Sequence, residues 1–326
     1  MHMADALLSP QVAGAMGLCS ALAAAYAVKQ VKKENDASLM PKMGVLGAFV
    51  FAAQMINFAI PATGSSGHLC GGLLLSAVVG PYAGFLTMIC VLTLQCLLFA
   101  DGGLLALGAN IWNMAFYGCF FGGAILWKNG IRNGLSRKKI AAVSISGSIF
   151  ALQLGAFSVS FETFCSGITE LPFSAFLLLM QPIHLVIGLV EGLITAAVLE
   201  FIYENRPELL WQSQPKGYGK PIKSRQVLPV LAIAALITGG IVSLFASADP
   251  DGLEWSIAGI TGETELAQRS GSIFTLASQL QEELSLLPDY QVPGLGESLG
   301  TSLSGIVGIL LVMALACCIG RALQNR

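Results

Sequence analysis

The chain has 326 residues, of which 55% are hydrophobic and only 11% charged, with a mean hydropathy of +0.73. A soluble domain carries about 25% charged residues, so this composition excludes an ordinary water-soluble domain and points to lipid as the main solvent. The formal net charge of -2 says little by itself, because the charges are sorted by location.

The chain opens Met1-His2-Met3-Ala4-Asp5-Ala6-Leu7-Leu8-Ser9-Pro10. Met1–Leu8 has no basic segment and no short apolar core before a small-residue cleavage site, so the mature chain is expected to begin at Met1. Ser9 followed by Pro10 predicts a helix start, since the hydroxyl caps free N–H groups and proline suits the first turn. Residues 1–8 then form an apolar arm. An N-terminal Xaa-His unit can chelate: the α-amine, the His2 amide nitrogen and a ring nitrogen close two fused rings around one metal. The amide binds only after losing its proton, which Ni²⁺ and Cu²⁺ promote in tetragonal geometry far better than Zn²⁺. A bulky second residue also disfavours removal of the initiator methionine. The plain alternative is an unstructured terminus.

Apolar runs long enough for about 30 Å of hydrocarbon predict nine spans, at roughly 11–29, 43–60, 69–80, 82–99, 104–127, 138–158, 173–202, 226–247 and 303–323. The third is short and glycine-rich, and could be re-entrant. Counting it as a crossing puts sixteen of the seventeen basic residues on one side. That side is the cytoplasm by the positive-inside rule, with the N-terminus outside and the C-terminus inside. The expected fold is therefore all-α and polytopic. It comprises a seven-helix core at 1–205, a cytoplasmic linker at 206–225, and a two-helix unit at 226–326. The last flanks an outer loop, 248–302, which is rich in Asp and Glu and could concentrate cations or gate access.

Only three histidines exist. His68 follows Pro61-Ala62-Thr63-Gly64-Ser65-Ser66-Gly67 on the same side as the arm. Ser65 or Ser66 is expected to cap the next helix, placing His68 in its first turn, where the dipole favours the neutral, ligating imidazole. Gly64 and Gly67 would let the backbone turn closely around an ion. A capped loop histidine on a wet surface is the plain alternative. Gln95, the Asp101-Gly102-Gly103 turn, Asn110 and Asn113 are candidate partners that orient ligands, or ordinary interhelical hydrogen bonds. Gln181, His184 and Glu191 share a stripe of span seven, and His184 is not placed on the metal. Small residues at four-residue spacing (Ala21 and Ala25; Gly44, Ala48 and Ala52; Gly118 and Gly122) predict close helix approach, internal or toward another membrane protein. Cys19, Cys90, Cys96, Cys119, Cys317 and Cys318 fall in apolar runs as small hydrophobes, and no C-x-x-C occurs. No G-x-x-x-x-G-K-[ST] loop is present, since Gly219-Lys220 is followed by Pro221. The chain is thus not expected to hydrolyse nucleotide itself.

In combination, Met1-His2 through Ser9-Pro10, Gly64-Ser65-Ser66-Gly67-His68-Leu69, Leu98-Phe99-Ala100-Asp101-Gly102-Gly103 with Leu107-Gly108-Ala109-Asn110 and Asn113-Met114, and Gln181-Pro182-Ile183-His184 with Gly188 and Glu191-Gly192 resemble the substrate-binding (S) components of cobalt/nickel energy-coupling factor importers, the CbiM/NikM type. The tail resembles a PDGLE domain, through Asp249-Pro250-Asp251-Gly252-Leu253-Glu254, Leu287-Pro288-Asp289-Tyr290 and Pro293-Gly294-Leu295. The resemblance implies seven core helices, with the arm tucked into an outward-facing cavity. It implies Ni²⁺ or Co²⁺ as substrate, held by the Met1 amine, the His2 amide and imidazole and the His68 imidazole, and no organic cofactor. It implies a transmembrane coupling subunit and cytoplasmic ABC-type ATPases as partners. Ala6 departs from the family's usual glycine after Asp5. The rival readings are a stand-alone secondary metal transporter and an intramembrane enzyme using His184 and Glu191.

Overall fold

The computed structural model describes residues 1–34, 36, 38–212, 227–267, 269–292 and 294–324. The chain is all-α and polytopic. After a single helical turn at Asp5–Leu7, helix α1 (Pro10–Glu34) starts where Ser9-Pro10 predicts, with the Val12 amide 3.4 Å from Ser9 Oγ. Helix α2 (Leu39–Gln54) ends before the second predicted span does, because residues 58–60 leave the helix to form strand β1 (Phe58–Ile60). This strand pairs antiparallel with β2 (Ser65–Gly67). Helix α3 (Gly72–Val79) has eight residues and rises only about 12 Å, so the helical part of the third predicted span is too short to cross a bilayer alone. Helix α4 (Pro81–Phe99) follows after Gly80, whose φ of 84° breaks the two apart.

Helix α5 is continuous through Leu107–Asn110, Ile111–Trp127 and Lys128–Ile131, and its middle stretch is wound as a π-helix. Helices α6 (Arg137–Ser166) and α7 (Phe173–Asn205) pack along each other. The second unit consists of α8 (Val227–Gly240), α9 (Gly252–Thr261), α10 (Ser272–Leu284) and α11 (Glu297–Gln324). Among the described residues the α-helices α1, α4, α6, α7 and α11 are long and apolar enough to cross a membrane, and α2 and α8 are apolar but shorter. Phe150, Phe157, Phe161, Leu178, Leu189 and Leu193 point outward from α6 and α7, as a lipid-facing surface requires.

The α2 small-residue stripe is internal packing. A Cβ on Gly44 would meet the Met313 carbonyl oxygen at 3.1 Å, and Ala48 shares a buried cluster with Ile309 and Val312, so α11 docks on α2. Gly118 meets Gly72 backbone to backbone, where a Cβ would come within 3.0 Å. Ala21 and Ala25 face outward. Cys90, Cys96 and Cys119 are buried, whereas Cys19 and Cys318 lie exposed on α1 and α11.

Of the expected linker, residues 213–225 lie outside the described residues, with Lys216, Lys220, Lys223 and Arg225, as do Pro293 and Arg326. Its first part is anchored: the Trp211 amide donates to the Ala77 carbonyl at 2.8 Å and Trp127 Nε1 to the Trp211 carbonyl at 3.3 Å.

Candidate metal centre

The first residues lie inside the protein. Met1, Met3, Leu7 and Leu8 are buried, and the backbone of this apolar segment finds partners in the turn after α4 and at the top of α5. Asn110 clamps Met3 by accepting from its amide at 2.7 Å and donating to its carbonyl at 3.1 Å; the Gly103 amide donates to the same carbonyl at 2.9 Å. Asp5 Oδ1 accepts from the Ala106 amide at 3.0 Å. Ala6 sits inside the Asp5–Leu7 turn and is not at positive φ, so this position needs no glycine. Gly103 does need to be glycine, since a Cβ there would overlap the Asp5 carboxylate and backbone. Gly103→Ala is expected to cost about 1–3 kcal/mol from overpacking and to unseat the arm. A lowered Tm and new proteolytic cleavage within residues 1–8 would report this.

The seated arm brings the Met1 amine to 3.2 Å from His68 Nε2. His68 Nδ1 lies 3.1 Å from the Leu69 carbonyl, so its proton is held there and Nε2 keeps its lone pair. The His2 and His68 rings stack at 5.2 Å. His2 Nδ1 lies 3.1 Å from Asp101 Oδ1, and His2 Nε2 lies 3.3 Å from Gln95 Oε1. Burial lowers the His2 imidazole to about 4 against the upward pull of Asp101, so the ring is neutral near pH 7. Among the described residues no group of three or more His, Cys, Asp and Glu side chains is arranged to hold a metal. A metal here would therefore need backbone donors.

The second unit closes over this centre. Asp251 caps α9: Oδ1 accepts from the Leu253 and Glu254 amides at 2.8 and 2.9 Å, and Glu254 returns the bond to the Asp251 amide at 2.9 Å. This capping box leaves Oδ2 free, and Oδ2 takes the Met1 amine at 2.8 Å. Burial alone would lower the amine and raise the carboxyl. The ion pair reverses both, lifting the amine above its usual 8.0 and holding Asp251 well below its usual 3.8. Tyr290 donates to Asp101 Oδ2 at 2.6 Å, stacks on Phe99 at 4.5 Å, and accepts from Gln95 at 3.3 Å. Gln281 donates to the Gly102 and Cys96 carbonyls at 2.7 and 3.0 Å.

Two expectations are corrected. Ser65 and Ser66 do not cap α3, because they lie in strand β2 and the N-cap is Gly71. Their hydroxyls donate instead to the Pro250 and Asp249 carbonyls at 3.3 and 2.8 Å, and the Ser66 amide donates to Pro250 at 2.8 Å, extending the hairpin onto the second unit. His68 consequently precedes α3 by four residues, and its proton is placed by the Leu69 carbonyl rather than by a helix dipole. Gly67 allows close packing, for a Cβ there would meet Ile187 at 2.6 Å.

Asn113 is more remote, donating to Glu162 at 2.8 Å with Met3 Sδ at 3.6 Å. Glu191 accepts from the Cys70 and Gly71 amides at 2.7 and 3.1 Å, so both its oxygens fix the backbone beside His68. Asp251, Tyr290 and Gln281 were not predicted at the site. The PDGLE-like stretches contain Asp251 and Tyr290, and D-x-x-E over residues 251–254 reads as a capping box, but these signals announce a domain and a helix start rather than a partner.

The fold and this cluster define a polytopic membrane protein with a buried amine–imidazole–carboxylate centre at one end. The family model for the cobalt uptake substrate-specific transmembrane region matches residues 2–209, and that for the PDGLE domain matches residues 225–325. The chain belongs to this cobalt-uptake family, fused to a PDGLE domain. A putative fused nickel transport protein of Archaeoglobus fulgidus is 34% identical over 98% of each chain. A probable fused nickel transport protein of Lactiplantibacillus plantarum is 30% identical over 97% of this chain and 96% of its own. A crystal structure of a truncated transition metal transporter is 31% identical, with a TM-score of 0.55, and covers 63% of this chain and 99% of its own.

Proposed function

We propose that this chain is the capture component of an ATP-driven importer of the energy-coupling factor type, taking up a transition-metal ion, with Ni²⁺ favoured over Co²⁺. The 3.2 Å separation of the buried Met1 amine and His68 Nε2 carries the reading. Two nitrogens bound at about 2.0–2.1 Å and at right angles lie roughly 2.9 Å apart, so a small contraction admits one ion to both. The His2 amide and His2 Nδ1 complete four nitrogens in a plane, which suits Ni²⁺. His2 must turn its ring off Asp101 to close that chelate. Relatives named for nickel and cobalt transport support the substrate class.

Residues 1–205 form the capture core, 206–225 a cytoplasmic linker, and 226–326 the unit that covers the site, with the N-terminus outside and the C-terminus inside. A cavity of about 780 Å³ leads to His2 and His68 and is bordered by Asp101, Asp251, Glu254, Glu265, Glu282 and Asp289. Its negative field draws cations toward the centre. The sequence has no phosphate-binding loop, so energy comes from a transmembrane coupling subunit and separate ATPases, and the chain is not an enzyme.

The test is Ni²⁺ binding by the full chain beside a variant with one residue added before Met1. The extension keeps every side chain but moves the free amine. Affinity is expected to fall at least about a hundred-fold, with loss of the planar-type absorption band. Equal binding by both chains would remove the amine from the site and overturn the reading.

A further inference from the structure

His184 is not among the donors of the capture site, yet its surroundings are those of a ligand. The residue is 1% exposed. Its Nδ1 lies 2.8 Å from the Met180 carbonyl, which holds the ring proton and leaves the lone pair on Nε2. Nε2 has no hydrogen-bond partner. A buried polar atom without a partner is rare in a native fold and calls for one. A carbonyl on one ring nitrogen and an open lone pair on the other is also how ligating histidines are oriented, and His68 is held in the same way.

The two histidines share one small, partly open cavity of about 10 Å³, whose lining includes Met1, His68, Cys70, His184, Asp251 and Gly252. This is about the space of one water or one dehydrated ion. Cys70 is a free thiol, buried, and its backbone is fixed by Glu191, two turns beyond His184 on the same stripe of α7. The cavity is lidded by Gly252, where a Cβ would come within 3.0 Å of His184 Cε1. The amine, His68, Cys70 and His184 thus border a single small space, whose lining Leu152 and Ile187 complete.

We propose that His184 Nε2 and Cys70 Sγ form an inner transit site for the same divalent ion, one step from the capture set toward the membrane interior. This rests on the capture reading. An ion leaving four nitrogens for bare hydrocarbon would lose all its ligands at once; an imidazole and a soft thiolate receive it, the Cys70 thiol passing its proton to the Met1 amine that the ion has just left on the border of the same cavity. With two protein ligands rather than four, the station binds weakly enough to release, as a conducting site must.

The test uses Co²⁺, whose absorption reports both tetrahedral geometry and thiolate ligation, on the full-length chain in detergent. The wild type is compared with His68→Ala, and with His68→Ala combined with His184→Ala or with Cys70→Ser. Helical circular dichroism and a monodisperse elution peak establish the fold of each. His68→Ala is expected to keep one Co²⁺ site, roughly a hundred-fold or more weaker than the wild type, with a sulfur-to-cobalt charge-transfer band. Adding His184→Ala should weaken that site at least about ten-fold further, because only the Met1 and His2 nitrogens then remain, and Cys70→Ser should remove the band. If folded His68→Ala binds no Co²⁺, or binds it equally with His184 replaced, or shows no thiolate band, the transit site is wrong while capture stands. A wild-type chain that binds neither Ni²⁺ nor Co²⁺ overturns both.

Discussion

Between pH 6 and pH 7 the affinity of the full chain for Ni²⁺ is expected to rise about a hundred-fold, two decades for one pH unit. The slope counts protons displaced by the ion. The Met1 amine, held above its usual 8.0 through its ion pair with Asp251, carries one throughout this range. The His2 amide must give up another to act as a donor. The His2 ring gives up none, because burial lowers its imidazole to about 4 and it is already neutral. Binding therefore weakens as pH falls, and the His2 ring adds its own proton to the slope only below about pH 4. Competition titrations against a chelator of known affinity measure the slope directly. A slope of one decade would mean that the amide keeps its proton, and a flat profile would remove the amine as well.

The helical layout was readable because lipid imposes long apolar runs and proline and serine mark helix starts. The Ser9-Pro10 start and the long spans of α4, α6 and α7 follow from those two facts alone. Residues 58–67 were not legible, because a hairpin with three-residue strands carries too little alternation to compete with a neighbouring apolar run. The misplacement of Ser65 and Ser66 follows from that. Both fit a helix cap by residue type, and only the position of residues 249–250, far along the chain, makes them strand residues bonded to the second unit. The candidate centre was legible in part. Met1, His2 and His68 stand out by donor chemistry and scarcity, and the structure brings them together. Asp251 could not be found that way. Its capping role is local and visible as D-x-x-E, but the partner of its second oxygen is 250 positions away. Tyr290 reaches Asp101 over a similar distance, across 189 positions.

Asp251→Asn is expected to lower the stability of the metal-free protein at pH 7 by about 3 kcal/mol and to halve the pH slope of Ni²⁺ binding. Asparagine is nearly the same shape and still caps α9, so the change removes chiefly the charge. Breaking a buried ion pair costs about 3–5 kcal/mol, and the low end applies because the Asp251 side chain keeps 14% exposure. The pH window follows from the two shifts. The raised amine contributes stability that is full below 8.0 and is lost as pH rises through its elevated value. The depressed carboxyl contributes stability present above 3.8 and lost as pH falls through its lowered value. The variant should thus differ most from the wild type between about pH 4 and pH 8 and converge with it at either extreme. Without the carboxylate, burial is the dominant influence left on the amine, so it loses its proton before the ion arrives. Only the amide proton is then displaced, and the slope falls from two decades per pH unit to one. Denaturation profiles across pH and the same competition titrations read the two effects separately. A variant with an unchanged slope would show that Asp251 does not hold the amine proton, however much stability it contributes.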